Sequence, residues 1–332
     1  ISSIINKVLK NRYKKAEWNK PDVLIVDEIS MMSTKLFNIL DIIGRKSRKN
    51  MLSPFGGLQV VFCGDFYQLP PIGNLDDKES SMFCFESNQW DSTFDTIVQL
   101  KTIFRQKDKD YIKILNQIRM GKLSRKSYNL LCQRVISSIN VTYPPKDIKI
   151  KPTRLLPRKR NVDSINEQEF SKLSGESYCY KSKVVTDLPI KNKHTPILHE
   201  QSPSATDIDM EIKHLRSGIM GDDTIELVVG TQVMCVANID TDGPYPIVNG
   251  SQGIVTEFTG GYPVVQYKNG QKRIMSEHTW TSDNIPGLGI RQIPLIYAWA
   301  ITIHKAQGVT LELAEIDAGS GIFECGQTYV AL

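Results

Sequence analysis

Two adjacent carboxylates, Asp27 and Glu28, follow the short apolar run Leu24-Ile25-Val26. A run so rich in branched residues predicts a strand buried on both faces of a parallel sheet, with the acids at its C-terminal end. In open α/β sheets ligands bind just beyond that end, so the pair would face one. The chemistry it suits is nucleotide hydrolysis: the first acid can hold Mg2+ through water, and the second can orient the attacking water. Taken alone, Asp-Glu after a strand is equally an ordinary polar exit. Here, however, a second run, Gln59-Val60-Val61-Phe62-Cys63, leads into Gly64-Asp65-Phe66-Tyr67-Gln68-Leu69-Pro70-Pro71. Gly64 permits a tight exit and the proline pair stiffens the far side, so that Gln68 becomes a fixed polar group able to sense a terminal phosphate. Asp65 is the acid at this second tip.

The elements that must position these groups can be read on either side. Residues Ile1 to Lys15 have the spacing of an amphipathic helix. Ser33 can cap a helix with Leu36, Ile39, Leu40 and Ile43 on one face, and the Arg45, Lys46, Arg48 and Lys49 that follow either touch phosphates or end a solvated helix. Phe83, Phe85, Trp90 and Phe94 read as core, with base stacking as the alternative. Ile97 to Leu100 reads as the strand leaving a first domain, and helices follow through Tyr111, Leu115 and Ile118 and, capped by Ser124, through Tyr128 and Leu131. Thr153 to Pro157 predicts a strand of a second domain, with a helix through Val162, Ile165 and Phe170. Lys181 to Thr224 lacks apolar periodicity and reads as a long excursion, its His194, His199 and His214 being surface residues. Five short strands between Ile225 and Met275, with Asn269-Gly270 as a hairpin turn, predict a small β barrel. Ile293 to Ala300 returns to the second domain. His304, Lys305 and Gln307 then fall where the run turns toward a helix, a place where Thr302 and backbone amides can bind phosphate oxygens. Leu311 to Asp317 predicts a further buried strand.

At 332 residues and 40% hydrophobic, the chain is long enough for two cores. No apolar run approaches the roughly 20 residues of a membrane span, which predicts a soluble protein with no membrane partner. The six cysteines form no Cys-x-x-Cys pair, so neither zinc nor a disulfide framework is expected, and buried thiols in a reducing, intracellular compartment are. Nucleus, mitochondrion and viral factory are not separated by the sequence. The net charge of +5 is mild, but basic clusters at Lys7 to Lys20, Arg45 to Lys49, Arg119 to Lys126 and Lys149 to Arg160 suit a protein that tracks a phosphate backbone. Such runs are also ordinary solvated faces.

In order along the chain, Asp27-Glu28-Ile29-Ser30-Met31, Pro54-Phe55-Gly56-Gly57, Gly64-Asp65-Phe66-Tyr67-Gln68-Leu69-Pro70-Pro71, Phe104-Arg105-Gln106 and Thr302-Ile303-His304-Lys305-Ala306-Gln307-Gly308 resemble the motifs of the petite-integration-frequency helicases. These are a RecD-like branch of superfamily-one helicases, and the match runs from about Trp18 to Leu332. The resemblance implies an α/β fold of two RecA-like P-loop NTPase domains: residues 1–99 as part of the first, 100–180 and 290–332 as the second, and 181–289 as the excursion plus an SH3-like β-barrel insertion. It implies an ATP-dependent 5′ to 3′ DNA helicase serving repair, recombination, replication or telomere maintenance. ATP and Mg2+ would be its cofactors, with single-stranded DNA and single-strand/double-strand junctions as partners, and it would act as a monomer or weak oligomer. Among site residues, Glu28, Gln68 and Arg105 would be catalytic, Arg105 as an arginine finger. Asp27 and Asp65 would join them at the nucleotide, Asp27 holding Mg2+ through water. Asn166, Thr302, His304, Lys305 and Gln307 would lie on nucleic acid. Two family features are missing from these 332 residues: a Gly-rich loop ending in Gly-Lys-Ser or Gly-Lys-Thr, and the Ser-Arg pair expected after Leu332. The chain is therefore expected to be a fragment, inactive as an ATPase, of an active parent. A non-motor nucleic-acid-binding remnant and the helicase part of a rolling-circle transposon protein stay open as alternatives.

Overall fold

The computed structural model describes residues 2–10, 12–74, 76–135, 150–187, 205–241, 246–282, 284–309, 311 and 313–332. Ile1, Lys149, His194 and His199, named above, lie outside them. The chain divides into two compact units, Ile1–Asn140 with Ile322–Leu332, and Val141–Gly321. Residues 100–135 and 322–332 fall with the first unit, in which Asp65 accepts side-chain bonds from Arg119 and Tyr329.

The first unit runs α1 (Ser2–Lys10), α2 (Arg12–Asn19), β1 (Val23–Val26), α3 (Thr34–Ser47), β2 (Gln59–Phe62), α4 (Trp90–Thr93), α5 (Lys109–Arg119) and α6 (Arg125–Cys132), with a further helix at Gln327–Ala331. The single expected N-terminal helix is thus two, of which α1 buries Ile5 against Ile39 and Ile43. β1 and β2 pair in parallel, Val23 opposite Gln59 and Val26 opposite Phe62. Parallel pairing in this register sets both C-terminal ends level. Leu24, Val26, Val60 and Phe62 pack on Ile29, Met32, Phe37, Phe55, Leu58 and Cys84, with Trp90 and Phe94 in the same cluster. Trp90 and Phe94 lie in the core as expected, Phe62 meeting Phe94 edge-on at 5.2 Å. Phe85 is outside it, 40% exposed, with its ring edge-on to Phe66 at 4.8 Å. Burial on both faces is not found. Val23, Ile25 and Val61 point the other way and are exposed, Ile25 at 68%, because the described residues supply a layer on one side of the sheet only.

Ser33 caps α3 as expected, its Oγ accepting from the Leu36 amide at 3.2 Å. Of the expected face, Ile39 and Ile43 are buried and Leu40 packs on the core beside the fully buried Phe37, whereas Leu36 is 44% exposed. The Pro54-Phe55-Gly56-Gly57 turn packs against this helix. A Cβ on Gly44 would sit 2.7 Å from the Phe55 carbonyl oxygen, and one on Gly56 would sit 2.5 Å from the Gly44 carbonyl oxygen, so only glycines allow this approach. Phe55 is left-handed at φ 50, a conformation that a bulky residue rarely adopts. It is held there by its amide, which donates to the buried Asp41 carboxylate at 2.7 Å, and Arg45 Nε donates to the same group at 2.7 Å. Arg48 donates to the carbonyls of Gly56 (3.3 Å) and Trp18 (3.0 Å). Two members of the basic cluster are therefore tethers of the turn. Ile97 to Leu100 is not a strand: the segment has no regular structure, with Ile97 84% and Leu100 89% exposed.

The second unit holds a three-stranded parallel sheet, with β3 (Thr153–Leu156) between β14 (Ala300–Thr302) and β15 (Ala314–Ile316), covered by α7 (Lys159–Phe170). β15 is shorter than the expected 311–317. Beside it is a five-stranded antiparallel sheet in the order Lys272–Ile274, Tyr262–Tyr267, Gln252–Thr259, Gln232–Cys235, Leu295–Tyr297. Its hairpin turn at Asn269-Gly270 is as expected, with Gly270 at φ 86. One expected strand is elsewhere: Thr224–Leu227 pairs with Tyr178–Lys181. The run from Ile293 to Ala300 is shared by both sheets, breaking at Ala298, whose carbonyl accepts from Thr153 Oγ1 at 2.6 Å and Gln232 Nε2 at 2.9 Å. The excursion contains a 14-residue helix, Ala205–Gly218, with His214 exposed on it. Ile208, Ile212 and Leu215 recur along it at helical spacing, a period that the expected excursion lacked. Among the described residues, no helix is long and apolar enough to cross a membrane.

Candidate functional site

Beyond β1 and β2 the ladder continues for two bonds, Cys63 N–H to the Val26 carbonyl (2.9 Å) and Ile29 N–H to the Cys63 carbonyl (3.2 Å). Asp27, Glu28 and Gly64 consequently leave the sheet together. A Cβ on Gly64 would lie 2.8 Å from the Ile29 nitrogen, so the second strand can cross the first turn only as glycine. Glu28 is left-handed, with φ 54 and ψ 43, and opens the short turn Ile29–Met31. For a residue with a Cβ this conformation costs on the order of 1–3 kcal/mol and persists only where its surroundings impose it. Asp27 Oδ1 accepts from the Glu28 amide at 2.9 Å and from the Cys63 thiol at 3.2 Å. The bond to Asp27, more than its burial, pushes the Cys63 thiol pKa up, so this sulfur stays a proton donor to the carboxylate.

Asp27 and Glu28 are both exposed. Both bonds to Asp27 fall on Oδ1, which orients the carboxylate and leaves Oδ2 for a hydrated cation. Among the described residues no group of three or more His, Cys, Asp or Glu side chains could hold a metal by itself. That donor set fits Mg2+, which binds through one or two carboxylates and completes its shell with water and phosphate oxygens.

The loop after β2 is fixed at both ends. The Gln68 amide donates to the Asp65 carbonyl at 2.9 Å, Leu69 is fully buried, and a Cβ on Gly326 would sit 2.3 Å from the Gln68 carbonyl oxygen. The rigidity expected of Gln68 is present, although Gly326 contributes to it as well as the prolines. The carboxylate of Asp65, the residue expected at the nucleotide, accepts from Arg119 Nη2 (2.9 Å), Arg119 Nε (3.2 Å) and the Tyr329 hydroxyl (3.2 Å). Arg119 also lies 4.6 Å above the Tyr67 ring. The bond to Asp65 raises the Arg119 pKa, and burial followed by the Asp65 charge raises that of Tyr329. The structure thus gathers Asp27, Glu28 and Gln68 at one end of the sheet. Arg105 stands on an exposed, irregular stretch of the same unit.

The expected nucleic-acid residues all lie in the second unit. Asn166, expected on nucleic acid, is 8% exposed, its Nδ2 donating to the Ala300 carbonyl and its Oδ1 accepting from the Ala300 amide, each at 3.0 Å. Its amide clamps α7 to β14. Asn166→Ala should destabilise the unit by about 2–4 kcal/mol, since two buried backbone groups lose their partner. Denaturant unfolding checks this, and an unchanged midpoint with weakened DNA binding would restore the nucleic-acid role. Thr302 caps the turn Ile303–Ala306, its Oγ1 accepting from the Lys305 amide at 3.2 Å. Lys305 Nζ donates to the Met220 carbonyl at 2.7 Å. His304 and Gln307 are half-buried on either side of it.

A family model described as PIF1-like helicase matches residues 2–129, a span that includes Asp27, Glu28, Asp65, Gln68 and Arg105. The ATP-dependent DNA helicase PIF1 of Danio rerio is 32% identical over 320 residues, which is 95% of this chain and 45% of the relative. The chain thus spans about half the length of the curated relatives it matches. The crystal structure of Pif1 helicase from Candida albicans, 31% identical, superposes with a TM-score of 0.70 over 99% of this chain and 74% of that one. Bacteroides sp Pif1 in complex with ADP-AlF4, 28% identical, gives a TM-score of 0.75 over 97% and 70%. Bacteroides Pif1 bound to ssDNA, also 28% identical over 97% and 70%, gives 0.59.

Proposed function

This chain belongs to the PIF1-like helicase family, and on that premise we propose that the natural protein is an ATP-dependent DNA helicase. It would move 5′ to 3′ along single-stranded DNA and open duplex at single-strand/double-strand junctions. The observation that carries this reading is the level pair of strand ends, with Asp27 and Glu28 on one and the Gln68 loop on the other. Asp27, oriented by its two donors, would hold a cation through water. Glu28, next to it with a left-handed backbone, accepts a proton from water and aims it. Gln68 reads the terminal phosphate from a loop that cannot drift. Bound Mg2+ would neutralise charge developing on the phosphates. Arg105 supplies the finger. In this reading the five-stranded antiparallel sheet is the SH3-like insertion, and the parallel sheets belong to two RecA-like domains.

The test is DNA-stimulated ATP hydrolysis together with unwinding of duplexes carrying a 5′ or a 3′ single-stranded tail. Opening of the 5′-tailed substrate alone is expected. Tight DNA binding without hydrolysis would favour the non-motor alternative. Lys305 provides a second measurement. Held by the Met220 carbonyl here, its ammonium is a preset donor for a phosphate oxygen. Lys305→Ala should lower the slope of log affinity against log salt for single-stranded DNA by about 0.7, one phosphate contact. An unchanged slope with a raised KM for ATP would place the residue on the other ligand.

A further inference from the structure

Asp65 begins the turn that carries Gln68, and three other elements converge on that turn. Arg119, the last residue of α5, grips the Asp65 carboxylate through both Nε and Nη2, and its guanidinium lies over Tyr67, the residue just before Gln68. Tyr329 donates to Asp65 Oδ2 from the helix Gln327–Ala331. Gly326, just before that helix, lies against the Gln68 carbonyl so closely that no side chain fits. The Tyr111 hydroxyl, at the start of α5, donates to the Leu332 carbonyl, which closes the circuit between α5 and the helix. The ion pair is 29% and 19% exposed, so it is shielded from solvent yet still reaches the surface beside the loop. An Arg fork is suited to this place, since it satisfies two-point binding of a carboxylate and stacks on a ring, which a lysine does not do.

We propose that Asp65, Arg119 and Tyr329 are positioning residues for Gln68: they hold its loop in the conformation that senses the terminal phosphate, and none of them binds nucleotide. This rests on the hydrolytic reading above. Its particular content is that Arg119, 54 residues from Asp65 in the chain, acts on turnover through Gln68 alone.

The experiment measures DNA-stimulated ATPase of the natural protein with Arg119→Ala, Arg119→Lys, Tyr329→Phe, Asp65→Asn and Gln68→Ala, and with Arg119→Ala combined with Gln68→Ala. Arg119→Ala and Arg119→Lys should each lower kcat by roughly a hundredfold, as expected when a positioned group is displaced by about an ångström, with KM for ATP within about twofold of the parent. Tyr329→Phe, which removes one oxygen and serves if Arg119→Ala does not fold, should lower kcat by a few-fold with KM unmoved. In the Gln68→Ala background, Arg119→Ala should produce no further loss of kcat, whereas a purely structural role would lower it equally in both backgrounds and so overturn the proposal. A KM for ATP raised more than about tenfold by Asp65→Asn but not by Arg119→Ala would also overturn it, returning Asp65 to the nucleotide. Full turnover in Gln68→Ala alone would instead show that the hydrolytic reading of the loop fails.

Discussion

Glu28→Gln in the natural protein should lower DNA-stimulated ATP turnover by roughly 10²- to 10⁴-fold while nucleotide binding is retained. The reasoning is geometric before it is electrostatic. Glu28 sits at φ 54 at the exit of a parallel strand pair, directly after a carboxylate whose own direction is set by the Glu28 amide and the Cys63 thiol. Replacing one carboxylate oxygen by an amide preserves length and backbone but removes the group able to take a proton from water. The charge at Asp27 is untouched, so binding of a cation and phosphates should persist. Glu28→Gly separates chemistry from strain: it too should abolish turnover, yet glycine adopts the left-handed conformation without penalty and should leave the fold as stable or about 1 kcal/mol more so. Near-parental steady-state ATPase in Glu28→Gln would sink the assignment.

Arg105→Ala should reduce turnover by roughly 10³-fold or more. Three other arginines of the first unit have structural work: Arg45 holds Asp41, Arg48 holds the Gly56 turn, and Arg119 holds Asp65. Arg105 differs from them. It follows an 86%-exposed Phe104 on an irregular segment, and among the described residues it has no ion-pair partner. An arginine so placed contributes little to stability, so the unfolding midpoint should be unchanged while kcat collapses. Arg105→Lys should fare little better, because a point charge does not reproduce the planar fork. A loss below about tenfold would return Arg105 to the ordinary surface.

Several local features were legible because each depends on a few neighbouring residues. The Ser33 and Ser124 caps need only a hydroxyl three residues before an amide, and the Asn269-Gly270 hairpin only a residue pair that tolerates the turn. The helix inside the supposed excursion was legible too, but the polar residues between its apolar positions masked it. The strand supposed at Ile97 to Leu100 had the right composition, yet a strand needs a partner, and no described strand offers its ladder there.

By itself, the sequence determined that two apolar strands end in acids and that Gly64 to Pro71 forms a stiff loop around Gln68, because strand propensity, turn chemistry and proline geometry act over a handful of bonds. Tertiary structure decided what those acids face. The carboxylate of Asp65, expected at the nucleotide, is bonded to Arg119 and Tyr329, 54 and 264 residues away, and the side chain of Asn166, expected on nucleic acid, is bonded to Ala300, 134 residues away. Periodicity records which face of an element is apolar and says nothing about which distant donor reaches a given oxygen. A buried polar group binds whatever partner the packing brings within about 3 Å, and only the folded chain specifies that partner.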